Sequence, residues 1–78
     1  MIMKYYCIGD ADTVLGFRLT GVEGAAVSNS GEAAAAFTAA AERPDIGVIM
    51  MTAGAASLIR AQVDQLKLER SRPLIVEM

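Results

Sequence analysis

Two carboxylates, Asp10 and Asp12, directly follow the first apolar run of the chain, where they could bind a divalent cation. A phosphate-accepting site built around such a cation needs a further aspartate at the end of the third strand. That position reads Met50–Thr52 instead, and no lysine follows Lys67 to neutralise a phosphate. The residues therefore argue against phosphoacceptor chemistry, and helix capping is the simpler role for both aspartates.

The nucleophilic side chains lack a base that could activate them. Cys7 lies inside the first apolar run, and Ser28, Ser30 and Thr52 follow later ones, but the sequence contains no histidine. Hydroxyls in these positions usually cap helices, and a cysteine within a strand usually packs as a small hydrophobe. The sequence therefore predicts no catalytic constellation.

Glycine spacing also argues against a bound cofactor. Gly9 and Gly16 follow the first strand, and they match neither the dinucleotide fingerprint nor the phosphate-binding loop. One cysteine and no histidine exclude a structural zinc site and leave carboxylates as the ordinary metal ligands. We therefore expect no cofactor and no metal centre.

The composition is that of a small folded domain. The chain has 78 residues, of which 54% are hydrophobic and 21% charged, and this is too apolar for a disordered segment. Seven basic and nine acidic residues give a net charge of −2, with no basic run that could neutralise nucleic-acid phosphates. The apolar run Ile46–Met51 is far shorter than the roughly 20 residues that span a bilayer. We expect one α/β domain over residues 1–78, without nucleic-acid binding or direct membrane insertion.

Short β-rich runs alternate with longer helical runs along the chain. Ile46–Met51 is apolar at nearly every position, which is typical of a central parallel strand covered from two sides. The alternation predicts a small parallel four-stranded sheet in a βαβαβαβ, three-layer arrangement of the Rossmann-like or flavodoxin-like (receiver-like) kind, with helices on both faces. The predicted elements are strand Met3–Ile8, helix Asp12–Leu19, strand Ala25–Val27, helix Gly31–Glu42, strand Ile46–Met51, helix Ala55–Glu69 and strand Leu74–Val76.

Three blocks of the sequence resemble one protein family in order and spacing. The specific block is Ile8–Val22, which reads IGDADTVLGFRLTGV; the others are Ile46–Ile49 followed by Thr52, and Arg72–Glu77 with its leading proline. Together they resemble the F subunit of V-type and A-type (archaeal-type) rotary ATPases. The resemblance covers nearly the whole chain, although the second and third blocks alone indicate only a parallel α/β fold.

The resemblance implies a noncatalytic rotor subunit in the central stalk of a proton- or sodium-translocating ATPase. Such a subunit binds the coiled-coil D subunit, lies near the catalytic head, and modulates the coupling of ATP hydrolysis or synthesis. It also implies a cytoplasmic location, peripheral to the membrane. The family usually carries acidic residues where this chain has Ala53–Ala56, and it continues past the last strand. We therefore expect this sequence to correspond to the N-terminal domain without the C-terminal helical segment.

The expected contacts with the D subunit lie in the loops after the strands and in the helix starts that follow. A planar cation in the apolar stripe of a helix needs a partner, so Arg18 either forms a structural salt bridge with Asp10 or Glu23 or contacts the D subunit. Replacing Arg18 with alanine is predicted to weaken assembly more than folding, and equal losses of both would identify a structural residue. The expected interface residues are Asp10, Asp12, Thr13, Phe17 and Arg18, with Ser28, Asn29 and Ser30 as a secondary group.

Three further expectations stay open at this stage. An exposed apolar sheet face would favour a homo-oligomer of this chain. A receiver-like or flavodoxin-like domain that binds a small ligand or signals is the main alternative function. A fragment of a small α/β phosphotransfer enzyme is a further alternative, and it would need Cys7 in a loop rather than in a strand.

Overall fold

The computed structural model describes residues 3–78, which form four strands alternating with helices. Each predicted strand and helix is present, with ends that move by at most two residues, and one predicted helix is divided in two. The elements are β1 (Lys4–Gly9), α1 (Ala11–Arg18), β2 (Glu23–Ala26), α2 (Ser30–Glu42), β3 (Ile46–Met51), α3 (Ala53–Leu58), α4 (Arg60–Glu69) and β4 (Leu74–Glu77).

The strands form one parallel sheet in the order β2-β1-β3-β4. This is the order of the first four strands of a flavodoxin-like sheet, so the predicted fold class is confirmed. The long β1 and β3 lie in the centre, and the four-residue strands β2 and β4 form the edges. Gly21, with φ of 90°, makes the turn that brings the chain from α1 into β2.

The main core lies between the sheet and the helices α2, α3 and α4. The register aligns Tyr6 with Ile49 and Ile49 with Ile75, so these side chains form a row across β1, β3 and β4 on one face. Phe37 of α2 and Val63 of α4 are buried in the same cluster as Ile49 and Ile75. We call this side of the sheet the core face.

The opposite side of the sheet is covered over only part of its width. Helix α1 packs against β1 and β2, where Val14 and Cys7 are both buried. The next row in the register runs from Cys7 to Met50 and on to Val76, and burial falls along it from complete at Cys7 to 41% exposed at Val76. The prediction that Ile46–Met51 is covered from two sides is therefore wrong for Val48 and Met50, which are only half-buried.

The predicted helix Ala55–Glu69 is interrupted at Ile59. The backbone of Ile59 has φ of −135° and ψ of 40°, and its N–H donates to the carbonyl of Ala56 at 3.2 Å. The apolar stripe of Ala55, Ile59 and Val63 nevertheless stays buried across the break. Because neither proline nor glycine stands at this position, the sequence pattern contained no signal for the interruption.

Candidate docking surfaces

The loops after β1 and β2 lie side by side at the carboxyl edge of the sheet. The amide of Val27 donates to the carbonyl of Gly9 at 2.9 Å, which brings the start of α1 close to the residues 28–30. In parallel α/β sheets this edge is where ligands and partners usually bind. The structure thus places the loop that carries Asp10 beside the loop that carries Ser28, as the strand order predicts, while the helices α1 and α2 that follow lie on opposite faces of the sheet.

Asp10 caps helix α1 through two hydrogen bonds with one residue. The amide of Thr13 donates to Asp10 Oδ2 at 3.1 Å, and the Thr13 hydroxyl donates to Asp10 Oδ1 at 2.7 Å. These bonds favour the charged carboxylate and hold the pKa of Asp10 below its ordinary value. Asp12 lies in the first turn, where a negative charge suits the helix dipole. The capping role predicted for Asp10 is therefore confirmed.

The residues before α2 form a reciprocal cap. The amide and the hydroxyl of Ser28 each donate to Glu32 Oε1 at 2.8 Å, and the amide of Glu32 donates to Asn29 Oδ1 at 2.8 Å. The bonds from Ser28 lower the pKa of Glu32. Ser30 is the first residue of the helix. The Asn29 side chain thus satisfies an amide of the first helical turn, and the Glu32 carboxylate satisfies the amide of Ser28. Together these bonds fix where α2 begins.

Phe17 and Arg18 lie at the opposite end of α1 from the capping residues. Phe17 stands seven positions after the N-cap Asp10, which is on the order of 10 Å along the helix axis. The Arg18 Nη2 atom donates to the carbonyl of Gly24 at 3.3 Å. Among the described residues, neither Asp10 nor Glu23 forms a salt bridge with Arg18, so the structural alternative considered for this side chain is wrong, while its contact with the D subunit stays a prediction. The residues expected at the interface thus form two groups rather than one.

The two alternative functions meet specific obstacles in the structure. Thr52 stands at the end of β3, where a phosphoacceptor aspartate would be needed, and its hydroxyl accepts from the amide of Ala55 at 3.1 Å. Cys7 is buried in β1 beneath α1, and burial, with a smaller contribution from the charge of Asp10, raises its pKa. A thiol in this position is poorly suited to nucleophilic transfer.

Four charged residues form a cluster at the amino edge of the sheet, which the sequence analysis missed. Arg43 binds Asp45 through Nη2 at 2.7 Å and Nε at 3.1 Å, and its Nη1 reaches Glu23 Oε1 at 3.1 Å. Lys4 lies 3.4 Å from Glu23 and 3.6 Å from Asp45. These contacts lower the pKa values of both carboxyls. The sequence did contain one indication of this cluster. Lys4, Glu23 and Asp45 each stand where a parallel strand begins, and the starts of parallel strands meet at the same edge of the sheet.

A second ion cluster ties the last strand to helix α4. The guanidinium of Arg60 binds Glu77 through two hydrogen bonds of 2.6 and 2.7 Å, and Lys67 Nζ lies 3.0 Å from Glu77 Oε2. The Arg60 bonds, with a further contribution from Lys67, lower the pKa of Glu77 from 4.5 to about 2. Because Arg60 and Lys67 lie seven residues apart, they project from the same side of α4 toward one carboxylate.

This cluster predicts a specific loss of stability in acid. Since the pKa of Glu77 is depressed in the fold, its contribution is complete above the unfolded value of 4.5 and is lost as the pH falls toward about 2. We expect Glu77→Gln to remove this share of the pH dependence. The measurement is the urea midpoint of wild type and variant from pH 7 to pH 2, with Glu69→Gln as the control. Stability curves of wild type and Glu77→Gln that run parallel over this range would contradict the assignment.

The uncovered part of the sheet presents a continuous apolar surface. We name it the open face and define it by Tyr5, Val48 and Met50, with Leu74 and Val76 of the edge strand. The register aligns Tyr5 with Val48 and Val48 with Leu74, so they form one row across three strands. Tyr5 is 56% and Leu74 58% exposed. Such a surface is unusual, because all-parallel sheets normally have both faces covered.

Arg72 borders the open face at its amino end. Its Nη2 atom lies 3.4 Å from the sulfur of Met3, which precedes β1 and covers Gly47. No carboxylate within residues 3–78 forms an ion pair with Arg72. At the carboxyl end Met78 is 47% exposed. The open face is thus apolar along its length with one cation at its end.

No three cysteine or acidic side chains between residues 3 and 78 come together as a metal site would require. In the same part of the chain, no helix combines the length and apolarity needed to cross a bilayer.

Comparison with known proteins identifies the family. A profile of the family described as the ATP synthase (F/14-kDa) subunit matches residues 6–78. The chain belongs to this F/14-kDa family. Membership in this family confirms the resemblance to the F subunit that the block Ile8–Val22 indicated. The match reaches through β4, so membership in the F/14-kDa family rests on almost the whole domain and not on one motif.

A solved structure supports the same fold for this F/14-kDa family member. The crystal structure of the F subunit of the V-type ATP synthase of Archaeoglobus fulgidus superposes with a TM-score of 0.83 at 22% sequence identity. The alignment covers 100% of this chain and 99% of that one. No curated protein matches the sequence significantly.

Proposed function

We propose that the chain is a noncatalytic subunit of the central stalk of a V/A-type rotary ATPase. In this role it binds the coiled-coil D subunit and modulates the coupling of ATP hydrolysis or synthesis to proton or sodium transport. The observation that carries the proposal is the family match over residues 6–78. The proposed location is the cytoplasmic side of the membrane, on the stalk beneath the catalytic head.

The surface of the domain supports a role in protein contact. At the carboxyl edge, Asp10 and Thr13 are hydrogen-bonded to each other in the cap of α1. Asp12 and the capping residues Ser28–Ser30 are exposed to solvent. Helix α1 and the residue that ends it also present Leu15 and Leu19 to solvent, at 56% and 80% exposure. Exposed apolar side chains of this size beside fixed polar groups suit a protein partner.

The interface residues named from the sequence remain part of the proposal. Asp10, Asp12 and Thr13 with Ser28–Ser30 form the group at the carboxyl edge, and Phe17 and Arg18 form the group at the other end of α1. A long coiled coil running beside α1 could contact both groups. The Arg18 bond to the Gly24 carbonyl gives that side chain a local role in addition.

The direct test is complex formation with the purified D subunit of the same ATPase. Size exclusion with light scattering is expected to give a complex of one chain and one D subunit. Adding the chain to a stalk and head that lack it is then expected to change the rate of ATP hydrolysis, whereas the chain alone hydrolyses none. Absence of any complex with the D subunit would overturn the proposal.

A further inference from the structure

We propose that two copies of this chain form a symmetric dimer in which helix α1 of each copy covers the open face of the other. This inference goes beyond the proposed function, because it concerns copies of the chain that are not bound in a stalk. A second copy is favoured by the shape of the open face, by the area that the dimer buries and by a glycine in α1.

The uncovered part of the sheet has the width of one helix. Helix α1 packs against β1 and β2, so the uncovered strip consists of β3 and β4, with Tyr5 of β1 at its amino end. Two strands spaced about 4.8 Å apart give a strip roughly 10 Å wide, which is the diameter of an α-helix with its side chains. One further helix laid beside α1 would therefore complete the layer that α1 begins.

Two-fold symmetry places α1 of a second copy in this gap. When two open faces meet around an axis parallel to the strands, the strand order of one copy is reversed relative to the other. Strands β3 and β4 of each copy then lie opposite β1 and β2 of the other, which carry α1. The two α1 helices thus lie side by side in one layer between the two sheets, and neither blocks the other.

Helix α1 presents apolar side chains that suit this position. Leu15 and Leu19 are four residues apart, so they share one side of the helix, and both are exposed. Leu74 and Val76 offer exposed apolar side chains on the open face. Each copy therefore supplies both an apolar strip and an apolar helix side, and the same contact occurs twice in the dimer.

The buried area reaches the range of stable dimers when both contacts form. The exposed part of the open face is on the order of 500 Å² per copy, so two faces alone would bury about 1,000 Å². The exposed surfaces of Leu15 and Leu19 add roughly 250 Å² per copy, which raises the total to about 1,500 Å². Stable interfaces bury about 1,200–2,000 Å², so the area favours the arrangement that includes α1.

Gly16 of α1 is a glycine that the contacts within one copy do not explain. Among the residues that the structure describes, nothing lies within 4 Å of a Cβ atom placed there, although glycine weakens a helix relative to alanine. Gly16 stands two positions after the buried Val14, about 200° further round the helix, so it lies on the side turned away from its own sheet. A glycine on this side lets the sheet of a second copy approach α1 closely.

The test is the oligomeric state of the chain on its own. Sedimentation equilibrium at about 100 µM is expected to give twice the mass of one chain, since interfaces of this size commonly bind in the micromolar range or more tightly. Leu74→Asp combined with Val76→Asp changes the strip, and Leu15→Lys combined with Leu19→Lys changes the helix. Each pair is expected to weaken the dimer at least 10-fold, and circular dichroism checks that both variants are folded.

Leu68→Asp is the matched control for these substitutions. Leu68 is 88% exposed on α4, which packs on the core face and so lies on the other side of the sheet. The dissociation constant of this variant is expected to stay within 2-fold of wild type. An equal loss of the dimer in Leu68→Asp would show that added charge, and not the open face, is responsible.

Mixing the strip variant with the helix variant tests the reciprocal arrangement. In a mixed dimer the two aspartates of one copy face the two lysines of the other, and the remaining contact is that of wild type. The mixture is therefore expected to form a dimer at a concentration where each variant alone is monomeric. A mixture that stays monomeric would overturn the assignment of α1 as the occupant of the open face.

Gly16→Gln separates the dimer contact from folding. Glutamine is a better helix former than glycine, so in dilute solution, where the chain is monomeric, the variant is expected to unfold at higher urea than wild type. Its dimer is nevertheless expected to weaken at least 5-fold, because the longer side chain holds the second copy away from α1. A Gly16→Gln chain that dimerises as well as wild type would contradict this close approach.

These outcomes are distinct from those that test the proposed function. A wild-type chain that stays monomeric at about 1 mM would overturn the dimer and leave the open face to another partner. A dimer that the strip variant leaves intact would also overturn it, since the contact would then lie elsewhere. A dimer lost in the strip variant but kept in the helix variant would show that the strips pair without α1. None of these results bears on the stalk role, which complex formation with the D subunit tests separately.

Discussion

Replacing Ile49 with alanine is expected to lower the free energy of unfolding by about 3–4 kcal/mol, since large-to-small core substitutions of this kind cost roughly 2–5 kcal/mol. Ile49 is 0% exposed and lies in β3, the central strand that pairs with both β1 and β4. Its side chain stands in the row with Tyr6 and Ile75 beneath the helices of the core face. Truncation leaves a cavity that hydrogen-bonded strands on both sides prevent from collapsing.

Such a loss is a large part of the stability of a 78-residue domain, which is on the order of 4–12 kcal/mol in total. Urea unfolding followed by circular dichroism measures the change in midpoint. Leu68→Ala is the control, and it is expected to shift the free energy by less than about 0.5 kcal/mol because the side chain is exposed. An Ile49→Ala variant as stable as the control would show that the row is not the core.

The second large effect is expected from Gly24→Ala in the edge strand β2. A Cβ atom at Gly24 would lie 2.5 Å from the backbone carbonyl oxygen of Cys7 and 3.2 Å from Val14 Cγ1. The oxygen belongs to the central strand β1 and cannot rotate away as a side chain could. Strand β2 must therefore shift from β1, which we expect to cost on the order of 2–3 kcal/mol, as for overpacked cores.

Gly16→Ala supplies a control of opposite sign. Gly16 lies within α1, and nothing is found within 4 Å of a Cβ atom placed there. Alanine in a helix is favoured over glycine by about 0.5–1 kcal/mol, so this variant is expected to unfold at higher urea than wild type. Thermal and urea unfolding of the two alanine variants check both signs. A Gly24→Ala protein as stable as wild type would mean that β2 approaches β1 less closely than the structure has it.

The fold was largely predictable because its signals are local. The continuous apolar run of β3 fixed that strand at Ile46–Met51, and Asp10 and Asn29 marked the starts of α1 and α2 as caps. The break at Ile59 was not predictable, because the buried stripe continues through it and no glycine or proline marks it. The start of β2 at Glu23 was missed because Glu23 and Gly24 are poor strand formers, and pairing with β1 overrides that preference.

The surfaces were harder to predict because they depend on which elements become neighbours. The sequence shows that Leu74 and Val76 are apolar, but only the strand order reveals that α1 stops short of them. The same holds for Arg18, whose partner is the carbonyl of Gly24 rather than a carboxylate. Every residue type has the same backbone oxygen, so the sequence could not point to this one, and the only structural partners considered for Arg18 were the carboxylates of Asp10 and Glu23.

The burial of Cys7 gives the domain a built-in reporter. It is the single cysteine of the sequence, and its thiol is fully covered where α1 and β2 meet β1. A thiol reagent can reach it only when that layer opens, since the core face lies on the other side of the sheet. The rate at which the unmodified protein is labelled therefore reports how often this layer opens, whether α1 lifts alone or the whole domain unfolds.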